Sequence, residues 1–173
     1  MNARTTALSA LIACRKQGAW ADGILKEYIA RDKLDARDAA LASRLCYGIL
    51  QNRMLLDYYL EQLVTGPIKK LHPVVLDILR LGLYQIMFMD KVPASAAVNE
   101  AVEQTKRYVN RGAAGLVNGV LRRAAREYTK FHIPDDLSIR YSHPQALIDL
   151  LQESLGEDQV PALLQSHNQV PGI

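Results

Sequence analysis

The sequence predicts an all-α protein, a helical bundle with a short helical C-terminal extension. Apolar residues recur at helical spacing through almost the whole of the 173 residues, and no stretch of four reads as an alternating strand between hairpin turns. An apolar fraction of 49% against 23% charged residues is that of an ordinary globular chain, which can bury a core. The length suits one domain plus an appendage better than two full domains.

The first helix is expected from about Thr5 to Gln17, with Leu8, Leu11, Ile12 and Arg15 in register and Gly18 as the stop. A second runs from about Trp20 to Arg31. Asp35 is a suitable N-cap for the third, with Asp38 favouring its positive end, and Ala42, Leu45, Cys46 and Ile49 face inward. The pattern resumes after Asn52 with Leu55, Leu56, Tyr59, Leu60 and Leu63, until Thr65-Gly66-Pro67 breaks it.

His72-Pro73 opens the most apolar helix, Pro occupying the first position, where its missing N–H costs nothing. That helix has so little polar face that it belongs at the centre, and Gly82 within it allows a close helix crossing. Pro93 introduces a helix with Val98, Ala101, Val102, Thr105 and Val109 on one side. The last core helix is expected after Arg111-Gly112-Ala113-Ala114-Gly115, running to about Tyr128 and burying Leu116, Val117, Val120, Leu121 and Ala124. Pro134-Asp135-Asp136 reads as a linker. Two short helical patterns come after it, Pro144 to Leu155 and Val160 to Gln165. The domain division is thus 1–134 for the bundle and 135–173 for a connector.

Several function classes are disfavoured. The longest apolar stretch, Val74 to Met89, is interrupted by Asp77 and Arg80, and the N-terminus lacks the apolar segment of a signal peptide, so no membrane partner is expected. Cys14 and Cys46 lie in apolar helical patterns without a CxxC, which suits buried thiols in a reducing cytoplasm. None of His72, His132, His143 and His167 has the i, i+4 spacing of a helical metal site, so no metal is expected. No GxSxG, P-loop or GxGxxG occurs, and the carboxylates read as scattered over exposed helical positions, so no catalytic residue is assigned.

Charge is unevenly placed. Residues 1–134 hold 20 Lys and Arg against 12 Asp and Glu, whereas residues 135–173 hold one against six. Between Lys106 and Lys130 seven cations meet one acid, Glu127. On a helix Gly115, Asn118, Gly119, Arg122, Arg123 and Arg126 fall on the side away from Leu116, Val120 and Leu121, a smooth glycine floor beside a cationic rim. Phosphates could approach that floor, take N–H donors from the helix start and be held by guanidinium groups.

Two blander readings stay open: solvated arginines, or a glycine spacing that merely admits another helix. Arg111 belongs to the patch, as do Lys106 and Arg107, although Glu103 is placed to pair with Arg107. Arg4, with Arg15 and Lys16, makes one edge of the first helix basic and either extends this surface or faces solvent.

Four strings together resemble the NusB-like domain: residues 44–50 (RLCYGIL), 77–86 (DILRLGLYQI), 93–102 (PASAAVNEAV) and 115–123 (GLVNGVLRR). The resemblance covers about residues 3–130. Arg140-Tyr141-Ser142-His143-Pro144-Gln145 and the helical patterns after it resemble the connector into the catalytic half of the RsmB (Sun/Fmu) family, which methylates cytosine C5 in small-subunit rRNA with S-adenosylmethionine. The resemblance implies an RNA-docking domain whose partners are small-subunit rRNA and its own catalytic domain. A further reading makes the domain a structural lid that packs on that catalytic half through the apolar faces of Leu147, Leu150, Leu151, Leu163 and Leu164. It implies S-adenosylmethionine for the full-length protein and no cofactor in this part. The chain is expected to stop where the family's next domain would begin. A transcription-antitermination module of the NusB type, binding RNA and protein, is the alternative.

Overall fold

The computed structural model describes residues 2–18, 21–132 and 134–142. Every regular element among them is helical: α1 (Ala3–Gln17), α2 (Ala21–Arg31), α3 (Ala36–Gln51), α4 (Arg53–Leu63), α5 (Pro73–Phe88), α6 (Ala94–Tyr108), α7 (Arg111–Glu127) and α8 (Leu137–Tyr141). Short 3-10 turns at Ile68–Lys70 and Tyr128–Lys130 complete the set.

The helix ends obey the chemistry of their residues. Gly18 closes α1 in the left-handed region at φ 64°, where a side chain would be strained, and its N–H bonds to the Cys14 carbonyl. Asp35 accepts from the Asp38 N–H and starts α3. His72 Nδ1 accepts from the Val74 N–H, and Pro73 is the first residue of α5.

Helix α5 is the axis of the molecule and packs against α1, α3, α4, α6 and α7. All ten residues from Asp77 to Ile86 are buried. A helix surrounded in this way needs short distances somewhere, and Gly82 provides one. A Cβ placed there would stand 2.5 Å from a methyl of Leu121 on α7. Gly48 of α3 leaves the corresponding room for the Tyr84 ring.

Burial of α5 includes two charges. Asp77 is 4% exposed and Arg80 6%. Arg80 forks onto Asp57 of α4, with Nε and Nη2 at 2.7 and 2.9 Å from its two oxygens, and reaches Asp77 at 3.5 Å. Arg15 of α1 donates from Nε to Asp77 Oδ2 at 3.0 Å. Asp77 is therefore an exception to the reading of the carboxylates as scattered over exposed positions. Burial pushes the Asp77 carboxyl above its ordinary value, against the opposing pull of Arg15 and Arg80.

Two expectations about the last core helix are corrected. Helix α7 begins at Arg111, four residues before Gly115, because Asn110 caps it by accepting from the Ala113 N–H at 2.7 Å. Gly115 and Gly119 cost the helix interior about 1 kcal/mol each, which the packing of Ala114, Val117 and Val120 offsets. Leu116 is 40% exposed rather than buried, since it sits about 100° around the helix from Val117. A short helix that the sequence did not signal follows the Pro134-Asp135-Asp136 stretch. Asp136 caps α8 by accepting from the Ser138 N–H, and α8 packs on α4. The patterns at 144–155 and 160–165, with their leucines, lie outside the described residues.

Helix α4 shows why α8 seats there. Its N-cap residue Asn52 makes no side-chain cap, because Nδ2 donates backward to the Gly48 carbonyl. The Leu55 N–H is satisfied by Ser142 Oγ at 3.2 Å. The hydroxyl at the end of α8 thus caps the start of α4.

Gly82→Ala should destabilise the fold by about 1–3 kcal/mol through the clash with Leu121. Gly115→Ala, where no described atom lies within 4 Å of the added Cβ, should stabilise it by about 0.5–1 kcal/mol. Urea unfolding of both variants checks the contrast. Asp77→Asn should cost about 2–3 kcal/mol, below the usual value for a broken buried pair because Arg80 keeps Asp57. With its folded-state value raised, Asp77 binds a proton more readily folded than unfolded. Its contribution to stability therefore falls as pH rises from the ordinary carboxylate value through the raised one. The variant should lose that slope in unfolding curves taken across the acidic range.

Candidate nucleic-acid interface

The outer face of α7 is built by exclusion. Ala114, Val117, Val120, Leu121 and Ala124 are drawn inward against α5 and α6, which leaves the opposite side of the helix to solvent. That side carries Gly115, Gly119, Arg122 and Arg126, all exposed or half-exposed at the surface. Half-buried Asn118 flanks it on one edge, and Arg123 and Leu116 on the other. The glycine floor is open, with no described atom within 4 Å of a Cβ built at either position. No helix of the described fold covers it.

The earlier start of α7 changes what the floor can offer. Gly115 and Gly119 lie inside the helix, so their N–H groups serve its internal hydrogen-bond ladder and are not free for phosphate. A polyanion held on this face must be held by side chains.

Those side chains are partly steered. Arg122 Nε donates to Asn118 Oδ1 at 2.9 Å. Arg123 Nε donates to Glu127 Oε2 at 2.9 Å, and its Nη1 reaches the Gln62 carbonyl of α4 at 3.4 Å. Arg111 and Arg126 make no hydrogen bond or ion pair with another described residue. Beside Arg122 and Arg126 a hollow of about 320 Å³ opens towards α6, where Ser95 and Asn99 line it. This adds two polar residues of α6 that charge counting could not find. The only signal was their place at the start of an antiparallel neighbour.

Lys106 and Arg107 end α6 as Arg111 begins α7, so they lie near the start of α7, at the opposite end of that helix from Arg122, Arg123 and Arg126. With 1.5 Å of rise per residue, Arg111 and Arg126 are about 22 Å apart along the axis. Glu103 pairs with Lys106, at 3.5 Å, and not with Arg107 as its spacing suggested. The Arg107 guanidinium instead stands 5.4 Å from the centre of the Tyr108 ring.

Arg4 is placed elsewhere. Its Nε donates to Gln85 Oε1 of α5 at 2.6 Å, while the neighbouring Asn2 Nδ2 donates to Glu100 of α6. No described contact joins Arg4 to α7. Arg15 likewise turns inward to Asp77.

Nucleophilic chemistry has little support here. Cys14 and Cys46 are both buried, and burial pushes both thiols up and away from the thiolate form. Among the described residues no group of three His, Cys, Asp or Glu is placed to hold a metal ion, and no helix is long and apolar enough to cross a membrane.

Comparison with known proteins matches residues 1–126 to the NusB family. Over 169 residues the chain is 36% identical to a protein of Bacillus subtilis named probable ribosomal RNA small subunit methyltransferase B, covering 95% of this chain and 38% of that one. A protein of the same name from Synechocystis is 33% identical over 178 residues, with 100% and 40% covered. The ribosomal RNA small subunit methyltransferase B of Shigella boydii is 31% identical over 174 residues, with 98% and 39% covered. The chain thus spans about two-fifths of the length of these relatives. Among solved structures, a chain from one described as the crystal structure of a plectonemic RNA supercoil superposes with a TM-score of 0.70 at 23% identity. It covers 75% of this chain and 96% of that one, and the likeness shows the fold.

Proposed function

The chain belongs to the NusB family over residues 1–126, and from that premise we propose that it is the RNA-docking N-terminal part of a small-subunit rRNA methyltransferase. The observation that carries this reading is the reach of the similarity. Proteins named as such methyltransferases align with 95–100% of this chain, well past residue 126, and extend far beyond it in length. A bundle that served antitermination alone would not be expected to share residues 127–173 with them.

The division of labour rests on chemistry. The α7 face supplies Arg122, Arg123 and Arg126, with Arg111, Lys106 and Arg107 near the other end of that helix, and each guanidinium can fork onto a phosphate. Gly115 and Gly119 let the backbone of a nucleic acid approach without side chains in the way, and Asn118 orients Arg122. Such contacts position an RNA without reading its bases. Arg4, bound to Gln85, is an outlying member of this set and would meet RNA only where it passes α1.

The reaction itself belongs to residues beyond this part: transfer of a methyl group to cytosine C5 from S-adenosylmethionine, in the cytoplasm. The described residues hold no strand, and hence none of the strand-to-helix turns that a nucleotide-derived methyl donor takes in a Rossmann-like fold. They do not fit the donor, and no catalytic step is placed on them. We read residues 1–134 as the docking domain and 135–173 as the connector, with α8 tying its start to α4.

Titration of an rRNA fragment at several salt concentrations tests the docking role. Affinity should fall steeply as salt rises, and replacing Arg122, Arg123 and Arg126 together by Ala should weaken binding while making the log–log slope shallower by about one for each phosphate no longer neutralised. Unchanged affinity and slope in the triple variant would remove the α7 face from the reading. Recovery of protein factors without rRNA from a pull-down would favour an antitermination-type role.

A further inference from the structure

Between the last turn of α1, the end of α3 and the flank of α5 lies a cavity of about 470 Å³, inside the size range of small-molecule sites. None of its lining residues belongs to α6 or α7, so it is separate from the basic face already described. Leu11, Ile49 and Leu50 give it an apolar lining. Arg15, Arg53, Arg80 and Asp77 give it a charged one.

The polar wall is unbalanced in a particular way. Asp57 holds Arg80 from outside the cavity, which leaves Arg15 and Arg53 facing the single carboxylate of Asp77. Arg53 is exposed and forms no ion pair with a described residue. Arg15 Nη2 is buried with no hydrogen-bond partner, standing 3.0 Å from Asp77 Oδ2 but out of line with it. Among the described residues Asp77 Oδ1 meets Arg80 Nη1 alone, at a long 3.5 Å. The cavity therefore sets the part-exposed Arg15 guanidinium, the exposed Arg53 guanidinium and a carboxylate that Arg80 meets only at long range beside an aliphatic surface.

We propose that this cavity binds a nucleoside phosphate. The phosphate is held between Arg15 and Arg53, since guanidinium groups suit its oxygens. The base lies on Leu11, Ile49 and Leu50, and its exocyclic amine donates to Asp77 Oδ1, as amino-bearing bases do to carboxylates. Two sources share this chemistry: an unpaired residue of a docked RNA, whose recognition works by splaying bases out, or a free mononucleotide. The first source rests on the RNA-docking reading, and the pocket itself does not.

NMR titration of the intact chain with cytidine 5′-monophosphate, cytidine and inorganic phosphate tests it. Cytidine monophosphate should give saturable shifts at the Gly18, Leu50 and Arg53 amides and at Arg15 Nε, binding roughly tenfold more tightly than either half alone. Arg53→Gln, an exposed change that leaves the core intact, should weaken it by a similar factor. Absence of saturable shifts at these residues, or equal shifts from inorganic phosphate, would overturn the proposal. A short single-stranded oligoribonucleotide that displaces the monophosphate identifies RNA as the source, and one that does not identifies the free nucleotide. The Arg122, Arg123 and Arg126 triple-Ala variant separates the two readings. If it keeps full rRNA affinity and the monophosphate still binds, the α7 reading fails and the cavity stands. If it loses rRNA affinity and the monophosphate gives no shifts in either protein, the cavity fails alone.

Discussion

Every residue of α5 from Asp77 to Ile86 is buried, and that constraint organises the rest of the molecule. A helix buried all round must be approached closely by its neighbours. Gly82 admits Leu121 of α7, while Gly48 of α3 makes room for Tyr84. Its two charged residues then have to be answered from other helices, because an unpaired buried charge is far costlier than the pair. Arg15 of α1 and Asp57 of α4 do so. The network thereby ties α1 and α4 to the axis with directional bonds, where the apolar contacts alone would fix only proximity.

The surface of α7 is the other side of the same constraint. With its apolar stripe committed to α5 and α6, the arginines on its far side cannot be buried by the bundle. The bonds they make, Arg122 to Asn118 and Arg123 to Glu127, lie on exposed surface and are worth at most about 1 kcal/mol each. Bonds of that strength orient a guanidinium without withholding it from a phosphate. The glycines between the two arginine groups leave a strip that no described side chain covers.

How far the site could be read from sequence depended on the range of the interactions. The membership of the α7 face comes from helical period and charge alone, since i, i+3 and i, i+4 positions share a side whatever the helix packs against. Its hydrogen bonding did not, because whether Gly115 has a free N–H turns on where the helix begins, and Asn110 settled that. Glu103 could reach either Lys106 or Arg107, and a spacing rule does not choose between rotamers. Ser95 and Asn99 enter from another helix and were invisible. Arg4 looked like part of a basic edge and is instead bonded to Gln85.

From the sequence by itself came the all-α class, the caps at Gly18, Asp35 and His72, the central place of α5, the close crossing at Gly82 and the family. These rest on local periodicity, on capping chemistry and on composition, which a linear string contains in full. Only the tertiary structure decided that Asp77 and Arg80 are buried partners of Arg15 and Asp57, that Leu116 is left outside, and that Ser142 caps α4. Each of these depends on which residue, distant in the chain, arrives at a few ångströms, and such distances are set by packing all the helices at once.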